Sequence, residues 1–243
     1  MKDNFSDLAS RYASFRPTYP QEMIDFIVSQ VAERNLAVDV GTGNGQLATA
    51  LAEYFHKVIG TDISEKQLQQ AIHLSNVEYR IAPAEKLPFS DSSVDFLTVA
   101  QAVHWFDFDR FYSEVNRVLK PGGIIAVLGY GLFTTNPQTD EIIRNYYENI
   151  VGPYWDPERK YLDENYQTIP FPFDELPSRN FSASYKWRFD HLIGYLSTWS
   201  AGNHYKKANG SDPLELIYER LQQTWKDNDN TVTFNFLLRL GKR

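Results

Sequence analysis

The run AVDVGTGNGQL at residues 37–47 constrains this chain more than any other stretch. A short apolar segment passes into a glycine turn. The turn then enters a helical pattern in which Leu47, Leu51 and Phe55 recur every fourth residue. Strand, glycine turn and helix in that order make the opening half of a dinucleotide-type fold. Gly41 and Gly43 can take backbone angles closed to other residues, and they let a ligand lie against the main chain. The first amides of the following helix have no partner within it and point into the same crevice.

Spacing narrows the class. A nicotinamide or flavin fold places its third glycine three residues after the second, for close helix–strand packing. Here that position is Gln46, and the third glycine is Gly45. Asp39 stands two residues before the first glycine. Asp62 closes a second apolar run, KVIGTD, where a carboxylate would accept hydrogen bonds from ribose hydroxyls.

Composition excludes several classes. With 243 residues and 42% hydrophobic content, the chain can bury the core of one ordinary domain, with room for a small cap. A net charge of −7 and no run of five basic residues argue against nucleic-acid and membrane partners. The absence of cysteine removes disulfides, cysteine–zinc sites and thiol nucleophiles. The N-terminal stretch lacks the apolar core of a secretory signal, and no stretch reaches the length of a membrane span, so a cytoplasmic protein is expected. The five histidines, at 56, 73, 104, 191 and 204, are too scattered for metal-ligand spacing, and no metal is expected. An aromatic content of 15% suits an apolar or cation-holding pocket as well as a core.

Along the chain, an amphipathic helix is expected over 20–33, with Met23, Ile24, Ile27, Val28 and Val31 inward. Strands are expected near 36–40, 58–62, 77–82, 94–102 and 122–130, with Ser64 capping the helix EKQLQQAI. A helix over 104–120 is expected to stop at Pro121-Gly122-Gly123. Alternating strands and helices imply an α/β fold with a parallel sheet and right-handed crossovers. Beyond 130 the rhythm changes. It reads as a helix over 137–150, an irregular stretch over 152–180 and a strand over 182–189. Helices HLIGYLSTWS and PLELIYERLQQTW follow, then a closing strand TVTFNFLLRL.

Taken together, these motifs resemble the class I methyltransferases that use S-adenosylmethionine, in the branch called the methyltransferase type 11 domain. Asp39-Val40-Gly41-Thr42-Gly43-Asn44-Gly45 matches that family's first motif, and Asp62 its second. The match continues through Ala84-Glu85-Lys86-Leu87-Pro88-Phe89, Asp95-Phe96 and Leu119-Lys120-Pro121-Gly122-Gly123. The resemblance implies a Rossmann-like, seven-stranded, mostly parallel sheet with helices on both faces and an antiparallel last strand. It also implies one domain over 1–243, with residues 1–19 as a lid arm and 131–181 as a cap insertion.

The resemblance assigns the cofactor, S-adenosyl-L-methionine, and its product, S-adenosyl-L-homocysteine, to Tyr12, Arg16, Asp39, Gly41, Thr42, Gly43, Gly45, Asp62, Ile63, Ala84, Glu85 and Gln101. Asp39 would meet the methionine ammonium or steady the glycine turn. Asp62 would take the ribose, and Ile63 the adenine face. Ala84 and Glu85 would meet the adenine edge, and Gln101 the methionine part. Phe5, Tyr12 and Arg16 belong to the arm, with Arg16 a partner for a carboxylate. His104, after the fourth strand, would contact an anionic substrate or act as base, or simply bond a neighbouring backbone group.

The segments RPTYP, AVHWFD and TWSA look most like the trans-aconitate methyltransferase branch, which makes methyl esters of small carboxylic acids. Cations available to such an acceptor are Arg16, His104, Arg188, His204, Lys206 and Lys207. AQAVHW stands where enzymes that methylate the amines of nucleobases carry a Pro-Pro-aromatic motif. A small-molecule acceptor is therefore expected. The alternatives are a nicotinamide-dependent oxidoreductase on a similar sheet and a non-catalytic S-adenosylmethionine-binding protein.

Overall fold

The computed structural model describes residues 15–226 and 230–243. A helix, α1 (Gln21–Ser29), buries Met23, Ile24, Ile27 and Val28, the apolar face expected from their spacing. It leads into β1 (Leu36–Val40), then α2 (Gln46–Leu51), β2 (Lys57–Asp62), α3 (Glu65–Leu68), β3 (Val77–Ile81) and β4 (Val94–Ala100). The continuous apolar run of β4 is buried on both faces, as a central parallel strand requires. α4 (Phe108–Val118) returns the chain to β5 (Leu119–Tyr130).

β1 pairs in parallel with β2 and β4, β2 with β3, and β4 with β5. The strand order reverses between β1 and β4, so the crevice of this sheet opens beyond the carboxyl ends of those two strands. The last strand, β8 (Thr231–Lys242), lies antiparallel beside β5. The short β6 (Asp174–Glu175) and β7 (Phe181–Lys186) both pair with β8 on its other side. The sheet therefore has eight strands, one more than expected, because the two-residue β6 joins its edge. Helices pack two apolar layers against it. One layer includes Leu51, Phe55 and Phe96, the two phenyl rings stacked 5.6 Å apart. The other includes Val38, Leu97 and Phe111.

Asp95, part of the motif set, lies at the far end from the crevice. Its Oδ2 accepts the amides of Asn35 (3.0 Å) and Leu36 (2.8 Å), and Lys120 pairs with its other oxygen. It ties the start of β1 to β4 and β5, which is a structural task.

Two expectations shift. The helix expected over 104–120 begins at Phe108, because Val103–Trp105 form a single 3-10 turn and the Asp107 side chain then accepts the Arg110 amide. It ends at Val118, since Leu119 already pairs with Val94, so Lys120-Pro121-Gly122-Gly123 belong to β5 rather than to a helix stop. The C-terminal part holds α5 (Pro137–Asn145), α6 (Arg159–Asp163), α7 (Phe189–Leu196), α8 (Ser200–Asn209) and α9 (Tyr218–Lys226). α8 is a helix that the sequence pattern does not announce. It buries only Ser200 and Ala201, so it carries no apolar stripe to reveal it.

Candidate active site

The glycine turn closes onto β2, with the amides of Gly41 and Thr42 donating to the Thr61 carbonyl at 2.8 and 2.9 Å. Gly41 has φ +69° and Gly43 φ +57°, the left-handed region that favours glycine. At Gly41 a Cβ would stand 2.7 Å from the Ala102 Cβ, so this position is fixed by packing. At Gly43 a Cβ would meet nothing nearer than the Gln67 Oε1 at 4.0 Å. The main chain there lies bare beside the crevice, open to a ligand.

Two acids flank the turn and are held differently. Asp62 accepts the Gly43 amide on Oδ2 (2.9 Å) and the Ser64 amide on Oδ1 (2.8 Å). Two main-chain amides thus orient its carboxylate. Ser64 caps α3 by accepting the Gln67 amide, as expected. Asp39 is buried, and its partners are hydroxyls: Thr42 Oγ1 donates at 2.6 Å and Thr98 Oγ1 at 2.7 Å. Burial pushes its pKa up to about 6, against the lowering effect of the two threonines.

These groups line one crevice of about 870 Å³, counting its open mouth. The expected residues Arg16, Asp39, Gly41, Thr42, Gly43, Asp62, Ile63 and Gln101 all reach it. Asn44, Gln67 and Tyr130 do so as well, unforeseen from sequence. Gly45 does not line it; a Cβ at that position would run into the Tyr79 hydroxyl. Ala84 lies in the core, and Glu85 accepts the Asp107 amide at 3.1 Å; neither lines the crevice. Phe5 and Tyr12 lie outside the described residues.

A second, smaller cavity of about 440 Å³ adjoins the first, and Arg16, Gln101 and Trp105 belong to both. Gln101 sits at the junction with φ +54°, a conformation costly for a side chain that bears a Cβ. Its amide donates to the Leu128 carbonyl and its Nε2 to the Tyr130 carbonyl, and these bonds hold it there. Trp105, Trp155 and Trp199 wall the second cavity, Arg16 and Arg159 give it positive charge, and Asp156 gives it negative charge.

Arg159 is fixed by its surroundings. Its Nε donates to the Tyr147 hydroxyl (2.8 Å) and lies 3.3 Å from Asp163, while its guanidinium stacks 4.7 Å over the Trp155 ring. Among the described residues, its two terminal nitrogens have no hydrogen-bond partner.

His104 also borders this cavity but is buried, with Nδ1 3.0 Å from the Tyr166 hydroxyl. Burial, helped by the nearby Arg159 charge, drives its pKa down to about 3. It is therefore a neutral imidazole at physiological pH, bonded to a side chain rather than to the backbone.

The sequence reading found most of the crevice and missed Trp155, Asp156 and Arg159. They lie in the stretch read only as irregular, where the sequence showed an excess of Pro, Tyr and Asp and nothing that marked these three.

Residues 38–127 match a family model described as "Methyltransferase domain". A methyltransferase-family protein of Dictyostelium discoideum is 40% identical over 93% of this chain and 88% of its own length. An uncharacterized methyltransferase of Mycobacterium bovis is 34% identical over 71% of this chain and 67% of its own. This chain belongs to the class I methyltransferases. A solved structure from Anaeromyxobacter dehalogenans, named as a type II methyltransferase, superposes with a TM-score of 0.85 at 37% identity, over 94% of this chain and 98% of that one. The oxidoreductase and non-catalytic alternatives are thereby set aside. S-adenosylmethionine is the methyl donor of this methyltransferase, and the crevice fits it. The carboxylate at the end of β2, the bare main chain at Gly43 and the buried acid Asp39 suit a ribose, an extended ligand and an ammonium in turn. Among the described residues, no helix is long and apolar enough to cross a membrane.

Proposed function

We propose that this methyltransferase acts on a small carboxylic acid and gives its methyl ester. The reading rests on the second cavity, where Arg16 and Arg159 stand among three indole walls directly beside the cofactor crevice. A carboxylate leaving water needs such a partner, because a buried unpaired charge is costly. A guanidinium fork matches its two oxygens. Of the other cations considered from sequence, Arg188 is exposed and pairs with Asp190, and Lys206 pairs with Asp212. Lys207 is exposed, and His204 lies 3.0 Å from the Tyr154 carbonyl.

The bound cofactor supplies an activated methyl group. The chain's own task is to bring the acceptor oxygen into line and to exclude water. A carboxylate brings its own lone pair and needs no base. His104, with its pKa near 3, would be a poor one for a phenol or an alcohol. In this proposal Asp62 binds the ribose, Ile63 the adenine face, and Asp39 and Gln101 the methionine part. Arg16, which lines both cavities, meets the cofactor's carboxylate and faces the acceptor, Arg159 binds the acceptor, and His104 orients it as a neutral group. Of the lid arm expected over 1–19, residues 1–14 lie outside the described residues, and Arg16, Pro17 and Tyr19 line the crevice. Residues 131–181 act as a cap, contributing Trp155, Asp156 and Arg159.

A panel of carboxylic acids, phenols and amines, assayed for S-adenosylhomocysteine release, tests the reading. Only carboxylic acids should react, and the product should release methanol in alkali, as an ester does. Turnover of amines alone would shift the reading to an ammonium acceptor held by Asp156, and the ester would be excluded.

A further inference from the structure

Arg16 lines both cavities, so what fixes it governs both. Its Nη2 donates to the Thr198 carbonyl at 3.3 Å, and its guanidinium lies 5.1 Å over the Tyr195 ring. Both contacts reach one wall, α7 and the turn that follows it. The preceding residue is bound to the same wall. The Phe15 carbonyl accepts a hydrogen bond from His191 Nε2 at 3.2 Å, and the Phe15 ring meets the His191 ring edge-on, 5.2 Å between centroids. Two residues after Arg16, the Thr18 carbonyl accepts from the Tyr185 hydroxyl at 2.7 Å.

The closest fit is at Gly194, inside α7. A Cβ there would stand 2.4, 2.5 and 2.6 Å from three atoms of the Phe15 ring. Real carbon contacts do not come so near, so the ring occupies a hole that exists only because residue 194 is glycine. Glycine is otherwise a poor choice inside a helix, where alanine loses less entropy. Nothing in the helix itself calls for it, since Gly194 does not have a positive φ.

We propose that Gly194 is a positioning residue for methyl transfer. By admitting the Phe15 ring into α7, it sets Arg16 at the junction of the cofactor crevice and the acceptor cavity. This rests on the proposed role of Arg16, and its test does not need an acceptor. The substitution Gly194→Ala should leave the protein folded with a melting temperature near wild type, because the better helix former offsets the packing lost with the Phe15 ring. The added methyl should expel the Phe15 ring, so chymotryptic cleavage of the Phe15–Arg16 bond, mapped by mass spectrometry, should speed up. The dissociation constant for S-adenosylhomocysteine, by calorimetry, should rise about tenfold, and Arg16→Ala should weaken binding similarly.

Phe15→Ala alone should cost less, because the His191 and Thr198 bonds remain. The pair Gly194→Ala with Phe15→Ala should return to the level of Phe15→Ala, since the clash is gone. Wild-type cleavage and affinity in Gly194→Ala would overturn the proposal. So would a double variant no better than Gly194→Ala, or an Arg16→Ala variant that binds like wild type. Failure of the carboxylate reading would show only in the acceptor panel and would leave these readouts as expected.

Discussion

The two cavities that meet at Gln101 are built from different material. The cofactor crevice is largely main chain: a bare glycine at 43, and a carboxylate at 62 held by two backbone amides. Most of its lining falls between 39 and 67, joined by the ends of β4 and β5 and by Arg16, Pro17 and Tyr19. The second cavity, proposed for the acceptor, takes its character from side chains. It draws on residue 16, on 101–105, on 155–162 and on 199–200, and three indoles and two guanidinium groups give it its character. A site made of backbone demands particular residues at fixed spacing. A site made of side chains needs only that they meet in space.

The sharpest way to break this comparison is at Asp62. Asp62→Ala removes the proposed ribose partner, and charge-assisted hydrogen bonds contribute about 1.5–3 kcal/mol each. S-adenosylhomocysteine binding should fall about a hundredfold or more. The same change also strands the Gly43 and Ser64 amides, so the melting temperature of the ligand-free protein should drop as well. Calorimetry and thermal melts read the two effects separately. Unchanged cofactor affinity would mean that the ribose is bound elsewhere.

The opposite manipulation is Arg159→Ala. It should raise the acceptor KM about tenfold to a hundredfold, the loss of a charged hydrogen bond, while the S-adenosylhomocysteine dissociation constant stays put. Steady-state kinetics beside calorimetry would show the split. A parallel loss of cofactor affinity would show that the two cavities are not energetically separate.

The same division explains what the sequence disclosed. The alternation of strands and helices and the glycine crevice were legible because periodicity and spacing encode them locally, whereas the antiparallel closing strand came only from the family resemblance. Asp62 and Ile63 were legible for the same reason, standing at the end of a recognisable strand. Arg159 was not, because it acts through Trp155 and Tyr147, partners brought near it by a π-helical turn and a short 3-10 turn that no simple pattern announces. His104 was found by position but not by character. Its burial, and with it its neutrality, depends on Tyr166, far along the chain and held at φ +59° against Gly129.

His104 gives the next effect in size. Its folded pKa of about 3 lies below the ordinary histidine value of 6.5, so the unfolded chain binds the extra proton first. The stability tied to its neutral form is intact above pH 6.5 and is lost as pH falls toward 3. The slope approaches about 1.4 kcal/mol per pH unit. Asp39 adds stability on acidification over part of the same range in both proteins, so chemical denaturation between pH 7 and pH 4.5 should show the limb as a difference, with wild type losing more stability on acidification than His104→Phe. Equal slopes in the two proteins would mean that His104 is solvated and titrates normally.

The smallest effect separates the cavities by pH. Asp39 has a folded pKa of about 6, raised by burial and by the Asp62 charge and opposed by two threonine hydroxyls. In the ligand-free protein this raised value favours the protonated form, so stability declines as pH climbs from about 4 to about 6. An ammonium beside Asp39 prefers the ionised form. S-adenosylhomocysteine should therefore bind more tightly as pH rises from 5 to 7.5, with a gain below about tenfold because part of the carboxylate is already ionised at pH 5. Asp39→Asn should bind more weakly and without that slope. His104 stays neutral across this window, and guanidinium groups in general do not titrate there. The KM for a carboxylic acid, itself ionised above pH 5, should accordingly stay flat where the cofactor constant moves. A wild-type dissociation constant that ignores pH would remove Asp39 from the ammonium and leave it as the acid that braces Thr42 beneath the glycine turn.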